Sequence, residues 1–454
     1  MTMKKMKHDV PTRLVKVLIL ILMMVAFGFV WYGYYAARAQ VHYYRRGDWV
    51  VILLFGILYY GFCRSYDAFH ISISPISEII YSQTLALIIS DFIMYVVIWL
   101  LSLYMPNAVP LLITFGVQFL ISVLWTFLAH QWYFHNFRPG RTAVIYDLRE
   151  GMESLVGEYG MEKKFHIEKV LGVEECLAKL SVLDEMDTVF LSGIHSHERN
   201  IILKYCMYQD IQVYVIPRIG DVIMGGAKKV HMFHLPMLRI DRYRPIPEYT
   251  IAKRAFDILF SGIAIVIASP FMLVTAIAIK SDGGPALYKQ KRLTKDGKEF
   301  NVLKFRSMRV DAEKDGVARL STGDKDDRIT PVGKIIRKIR FDELPQLFNI
   351  LRGDMSIVGP RPERPEIARQ YEEEMPEFRL RLQAKAGLTG YAQVYGKYNT
   401  TPYDKLLMDL TYIGTPSLWE DFKICLATVK ILFMPESTEG VAEGATTAMG
   451  GEKH

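Results

Sequence analysis

The sequence predicts a membrane α-helical protein with two α/β parts: four N-terminal transmembrane helices, a small soluble α/β module, and an α/β domain carrying a membrane-dipping helix. Three observations predict it. Long apolar runs crowd the first third of the 454 residues, and short β-rich runs alternate with helical stretches between Arg141 and Met232. A further apolar run, Ala255 to Ile279, has Ser269-Pro270 inside it and basic residues on both flanks. The predicted segments are 1–138, 139–235 and 236–434, with the re-entrant helix at 252–280 and a disordered tail at 435–454.

The first span runs from about Leu14 to Ala36 behind Lys4, Lys5, Lys7 and Arg13. It is long enough to cross a bilayer and has no evident small-residue cleavage site, so it is read as a retained helix. Three more follow at roughly Trp49–Cys63, Ile79–Tyr104 and Val109–Tyr133, with Trp and Tyr near several ends as interfacial anchors. Four crossings return the chain to its starting side. Arg138, Arg141 and Arg149 favour the cytoplasm for that side. Asp91, inside the third span, is expected to make a polar helix contact.

Between Arg141 and Met232, Thr142–Tyr146, Thr188–Leu191 and Gln212–Ile216 read as strands of a parallel, Rossmann-like sheet. After the first strand the chain reads Asp147-Leu-Arg-Glu-Gly-Met-Glu153, with Gly151 as its one glycine. That argues against a dinucleotide turn and for a structural or regulatory module. His195 and His197 read as a solvated loop pair. Cys63, Cys176, Cys206 and Cys425 show neither metal-finger spacing nor a disulfide framework. The net charge of +7 lacks long basic blocks, which speaks for membrane and phosphate contacts and against nucleic acid.

Proline lacks an N–H and clashes with the preceding turn, so a break is expected at Ser269-Pro270. Lys253 and Arg254 precede the run and Lys280, Lys289 and Lys291 follow it. Positive charge at both ends disfavours crossing, and a helix-break-helix that enters and leaves by one face fits better. Then come a hairpin turn at Lys295-Asp-Gly-Lys298 and a strand over Phe300–Met308, on which Lys304 and Arg306 would share a face. A polar loop is expected over Asp311–Asp327, and Gly387-Leu-Thr-Gly-Tyr-Ala-Gln393 reads as a tight turn able to offer N–H groups to an anion. Ser417–Met434 is an amphipathic helix suited either to the membrane surface or to packing on the domain.

The chemistry concentrates at Asp342-Glu343. Asp342 looks like a helix N-cap, with Pro345 in the first turn and Gly353 as the stop. Lys334, Arg337, Lys338, Arg340 and Arg361 surround the acid pair. Between His234 and His454 there is no histidine and one cysteine. Carboxylates, hydroxyls, Lys and Arg are therefore left as catalytic groups, and an oxygen-bound ion such as Mg²⁺ is the natural metal. An acidic pair in a basic frame suits phosphoryl transfer.

The segment from about Lys253 to Leu432 resembles the bacterial sugar transferases, the monotopic polyprenyl-phosphate phosphoglycosyl transferases. The matching stretches are Lys253-Arg254-x-x-Asp257, Ser269-Pro270, Lys304-Phe-Arg-Ser-Met308, Asp342-Glu-Leu-Pro-Gln346, Gly353-Asp-Met-Ser356, Val358-Gly-Pro-Arg-Pro362 and Gly387-Leu-Thr-Gly390. The front half matches the large form of that family in architecture. The resemblance implies transfer of a sugar 1-phosphate from a UDP-sugar to undecaprenyl phosphate, releasing UMP, at the start of exopolysaccharide, capsule or O-antigen synthesis. It implies Asp342 as nucleophile, Glu343 as the Mg²⁺ ligand, Lys304, Arg337 and Arg361 as phosphate clamps, and Ser269 and Pro270 as shapers of the re-entrant helix. It places the chain in the bacterial inner membrane among lipids, catalytic domain to the cytoplasm, with a homo-oligomer as one open arrangement. Two other readings stand beside it: a membrane glycosyltransferase that releases UDP, and a non-catalytic scaffold.

Overall fold

The computed structural model describes residues 3–38, 46–149, 151–281, 283–310, 326, 328–396 and 400–432. The polar loop expected at Asp311–Asp327 falls almost entirely outside these residues, and so does the tail from Pro435. The chain forms two compact units, Met1–Ile216 and Pro217–His454.

In the first unit, helices α1 (Met3–Val30), α2 (Arg46–Ser65), α3 (Ile76–Ser102) and α4 (Val109–Asn136) account for the four apolar runs. All four are long and apolar enough to cross a membrane. They are joined by ring stacking and by polar groups that find partners inside the bundle. Phe27 and Phe55 stack at 4.5 Å, Trp31 donates to Asp48 at 2.9 Å, and Trp125 donates to the Val15 carbonyl at 3.1 Å. Asp91 differs from expectation. It is buried on α3, yet among the described residues neither of its carboxylate oxygens has a hydrogen-bond partner.

The same unit carries β1 (Gly140–Tyr146), α5 (Met152–Glu158), β2 (Phe165–Gly172), α6 (Val173–Ala178), β3 (Thr188–Ser192), α7 (Ser196–Tyr208) and β4 (Gln212–Val215). The sheet order is β2-β1-β3-β4, and every pairing is parallel. β3 is buried along its whole length, because helices cover both faces of such a sheet. Ala143, Ile145, Val189, Leu191, Ile202 and Cys206 fill one side, Val144, Phe165 and Phe190 the other.

The second unit opens with α8 (Ile219–Gly225) and a hairpin of β5 (Lys228–Met232) and β6 (Leu235–Arg239). Then comes α9 (Pro247–Lys280), a fifth helix apolar enough to cross a bilayer. The expected break at Ser269-Pro270 is absent: α9 stays helical across both residues. Proline cannot donate to the carbonyl four residues back, and that carbonyl, Val266 O, instead accepts from Ser269 Oγ at 2.8 Å. The serine hydroxyl thus compensates the hydrogen bond that Pro270 removes.

One stripe of α9 packs on the rest of its own unit, and the other faces out. Tyr249, Asp257, Ser261, Thr275 and Ile279 are buried, and Ala264, Ile265, Met272 and Ala276 pack between them against the domain core. The spacing of three to four residues is the helical repeat. Ile258, Leu259, Ile263, Val266, Ile267, Phe271, Val274 and Ile277 stay exposed.

Beyond α9 lie β7 (Leu287–Leu293), β8 (Glu299–Phe305), α10 (Pro331–Lys338), α11 (Gln346–Arg352), β9 (Ser356–Val358) and α12 (Pro365–Glu374). They are followed by β10 (Gly387–Thr389), α13 (Tyr391–Tyr395), α14 (Pro402–Gly414) and α15 (Leu418–Leu432). β7 and β8 form the expected hairpin, with Asp296 and Gly297 at positive φ in its turn. α15 buries Asp421, Ile424, Leu426 and Ala427 while Leu418 and Trp419 remain exposed, so it packs on the domain with part of its apolar surface uncovered.

The Lys253-Arg254-x-x-Asp257 motif turns out to pin α9. Lys253 Nζ meets Asp421 at 2.9 Å. Arg254 donates to the Ile350 and Leu351 carbonyls at 2.7 and 2.8 Å, in the last turn of α11, where carbonyls lack a full set of helical partners. Asp257 accepts from Ser356 Oγ at 3.0 Å and Ile357 N at 2.9 Å. At the other end, Arg306 donates to Ile279 O at 3.0 Å. Both ends of α9 are therefore fastened to the same domain.

Candidate active site

The acid pair sits on a tight turn between α10 and α11. The N-cap expectation for Asp342 is not met: Phe341–Glu343 form a 3-10 turn, and the α-helix begins only at Gln346, with Pro345 at the N-cap position. Pro345 has no N–H to return to Phe341 O, so Leu344 N bonds that carbonyl at 3.2 Å and the turn tightens to an i+3 pattern. Arg340, at φ 55°, reverses the chain just before it. Gly353, at φ 99°, ends α11 as expected.

Two cations from different elements converge on Glu343. Lys304, on β8, donates to Glu343 Oε1 at 3.1 Å, and Arg361, three residues past β9, donates to the same oxygen at 3.0 Å. Burial opposes ionisation of Glu343, but Lys304 and Arg361 outweigh it and hold the carboxyl well below the usual range. Asp342 moves the other way. Burial pushes its pKa up, with Glu343 adding and Lys304, Arg337 and Arg361 only partly compensating. Two neighbouring carboxyls are thus separated into a firmly ionised one and a more basic one, the pattern by which active sites divide acid and base roles.

Arg337 reaches the site from α10 and donates to Ser307 Oγ at 3.0 Å. Its position depends on Gly333 one turn earlier, where a Cβ would lie 2.0 Å from Ser307 O. Any larger residue would push α10 away. Lys334 and Lys338 are exposed on the same helix.

Arg306 does not join Lys304. β8 ends at Phe305, and the Arg306 guanidinium is buried under the Pro285, Met308 and Ile279 carbonyls. The Gly387 stretch is also different from expectation: it is a strand, β10, parallel to β9. Its amides are used internally, Gly387 N donating to Pro360 O at 2.9 Å while Thr389 O accepts from Gly359 N at 2.8 Å. The strands pass so closely that a Cβ on Gly387 would lie 2.1 Å from Gly359 N.

Ser269 and Pro270 stand away from the ion pairs, but the next residue reaches them indirectly. Phe271 meets Phe341 edge-on at 6.4 Å between centroids, and Met272, Ala276, Phe341 and Leu344 pack around one small core. The apolar helix therefore runs directly beneath the acidic turn.

Sequence reasoning missed a second tier of charge. Arg292 donates to Pro362 O at 3.0 Å, and Arg381 donates to Arg361 O at 2.9 Å and to Asp409 Oδ2 at 2.8 Å. Nothing in the chain order links these residues.

These features define a membrane-associated domain whose acid pair is framed by phosphate-complementary cations. The chain belongs to the bacterial sugar transferase family: residues 248–435 match the family model "Bacterial sugar transferase". A Caulobacter vibrioides UDP-glucose:undecaprenyl-phosphate glucose-1-phosphate transferase is 41% identical over 201 residues, covering 42% of this chain and 74% of that protein. An Aeromonas hydrophila UDP-N-acetylgalactosamine-undecaprenyl-phosphate N-acetylgalactosaminephosphotransferase is 39% identical over 234 residues, 51% of this chain and 54% of that protein. An Escherichia coli UDP-glucose:undecaprenyl-phosphate glucose-1-phosphate transferase is 38% identical over 212 residues, 45% and 44% of the two chains. The match thus spans about half the length of the Aeromonas and Escherichia relatives.

Proposed function

We propose that this chain transfers a sugar 1-phosphate from a UDP-sugar to undecaprenyl phosphate, by way of a covalent phospho-sugar on Asp342. The observation that carries the reading is the divided acid pair: Glu343 fixed and ionised between Lys304 and Arg361, and beside it the more basic Asp342, on a turn seated over α9.

In the first step an Asp342 oxygen attacks the sugar-bearing phosphorus of the donor. The bond from that phosphorus to the UMP oxygen breaks, and UMP leaves. In the second step a phosphate oxygen of undecaprenyl phosphate attacks the same phosphorus, the acyl-phosphate bond breaks, and Asp342 is regenerated with undecaprenyl-diphosphate-sugar as product. One anhydride replaces another, so the protein contributes positioning and charge neutralisation. Lys304, Arg337 and Arg361 supply the positive charge. Splitting the exchange at Asp342 means that the soluble donor and the lipid acceptor need not share the site.

The donor set also fits Mg²⁺. Among the described residues no group of three or more acidic, His or Cys side chains gathers into a metal cage, but Mg²⁺ is commonly held by one or two carboxylates and completed by substrate phosphates. Glu343, with Asp342 beside it, would hold the ion, which when bound neutralises diphosphate charge.

The fastening of α9 supports a continuous helix lying in one face of the bilayer, with both ends on the same side, in place of the helix-break-helix expected from Ser269-Pro270. Its 34 residues measure roughly 50 Å against a hydrocarbon core of about 30 Å, yet both ends and the turns between pack on one domain. Its exposed apolar stripe would face lipid and keep Asp342 at headgroup depth, where the acceptor phosphate lies. The basic flanks favour the cytoplasmic side of a bacterial inner membrane for that face. Cysteines introduced at Glu248 and Lys280, exposed residues at the two ends of α9, in vesicles of one orientation are expected to react with an impermeant maleimide from the same side; labelling from opposite sides would mean a crossing helix.

The reaction is tested by supplying the detergent-purified full chain with undecaprenyl phosphate and, in turn, UDP-glucose, UDP-galactose and UDP-N-acetylgalactosamine. UMP release with a lipid-diphosphate product is expected from at least one donor. UDP release would indicate direct glycosyl transfer, and no nucleotide release from any donor would overturn the proposal.

A further inference from the structure

Arg361 is the one phosphate clamp that does not lie on a helix or strand, and its exposed side chain would be expected to wander. Its backbone does not. Gly359 N and Pro360 O are tied to β10, at 2.8 and 2.9 Å. The next three carbonyls are each taken as well: Arg361 O by Arg381 Nη2 at 2.9 Å, Pro362 O by Arg292 Nη1 at 3.0 Å, and Glu363 O by Leu293 N at 3.0 Å. Each residue from 359 to 363 is thus held by an outside partner.

The strongest of these partners is itself anchored. Arg381 is 4% exposed and Asp409 1%. Arg381 places Nε 2.8 Å and Nη2 2.6 Å from Asp409 Oδ2, while Nη1 lies 3.5 Å from Glu363 Oε1. One guanidinium therefore joins α14, the Glu363 carboxylate and the Arg361 carbonyl. A planar fork can do this because its donors point in fixed, divergent directions. A salt bridge this deep contributes little net stability over an apolar pair of similar volume, which leaves its directional bonds as the feature an apolar pair could not reproduce.

We propose that Arg381 is a positioning residue: held by Asp409 and Glu363, it fixes the Arg361 backbone so that the Arg361 guanidinium meets Glu343 and grips the donor diphosphate. This rests on the phosphoglycosyl transfer reading above. In this assignment Arg381 acts through Arg361 and not on the substrate itself. Its loss loosens the clamp, and the effect falls on donor binding more than on the chemical step.

The test measures UMP release by the full chain against whichever of the three UDP-sugars supports turnover, at saturating undecaprenyl phosphate, together with the thermal midpoint. Arg381→Lys keeps the charge but cannot span the acceptors, and is expected to raise the donor KM about tenfold with kcat within about threefold of wild type. The double variant Arg381→Met, Asp409→Leu removes both buried charges at once. It is expected to keep a thermal midpoint close to wild type while its donor KM stays raised about tenfold. A wild-type KM in Arg381→Lys, or a wild-type KM in the folded double variant, would overturn the assignment and leave the pair merely structural. If Arg361→Ala releases UMP with unchanged kinetics, the transfer reading's own clamp is wrong, whatever Arg381 does.

Discussion

Asp342→Asn in the purified chain is expected to reduce UMP release by at least about 10³-fold, the scale seen when a covalent nucleophile is lost. The substitution is nearly isosteric on a half-buried turn, so the thermal midpoint should hardly move. Wild-type protein quenched in acid after exposure to a radiolabelled UDP-sugar should carry label, and the variant should carry none. The raised pKa of Asp342 adds a pH signature. The attacking group must be ionised, so the rate is full above its pKa and lost as the pH falls through it. Because burial lifts that pKa, the acid limb should lie above the ordinary aspartate value of about 3.9. Arg337→Met removes a charge that lowers it and should move the limb higher still. Turnover by Asp342→Asn near the wild-type rate would end the covalent mechanism.

Glu343→Gln should be the second most damaging change, lowering kcat by about 10²- to 10³-fold through lost electrostatic preorganisation. A neutral amide still accepts a hydrogen bond from Lys304 or Arg361, but it cannot balance both charges or hold a hard cation well. Wild-type activity is expected to vanish on chelation and to return with Mg²⁺. In the variant the Mg²⁺ concentration for half-maximal activity should rise at least about tenfold. An unchanged Mg²⁺ requirement would remove Glu343 from the metal's coordination. Since Asp342 and Glu343 are adjacent, the two variants together separate nucleophile from metal ligand: only Asp342→Asn should abolish the acid-stable label completely.

The helical spans and the acid pair were legible from the sequence because each is encoded locally. A membrane-spanning run is a matter of consecutive apolar side chains, and Asp342-Glu343 with its basic frame is a cluster within a few turns of chain. Lys304 and Arg361 could be singled out only through the motifs they stand in, since an isolated cation in a sequence looks the same whether it faces solvent or a carboxylate such as Glu343. Arg306 shows the difference: two residues from Lys304, it serves instead to hold the Ile279 carbonyl at the end of α9. Ser269 shows another. Pro270 promises a break, yet α9 continues through it, with the Val266 carbonyl taken by the Ser269 hydroxyl instead of a backbone N–H.

The amino-acid order alone determined which segments are apolar enough for a membrane, that the chain between His234 and His454 offers carboxylates and cations without histidine, and where the two acids lie. Only the tertiary structure decided which oxygen of Glu343 two distant cations share, that Arg381 and Asp409, 28 residues apart, brace the Arg361 backbone, and that both ends of α9 are tied to one domain. The physical reason is that hydropathy and turn chemistry act between neighbours along the chain, whereas burial and ion pairing depend on contacts that exist only after distant segments have packed.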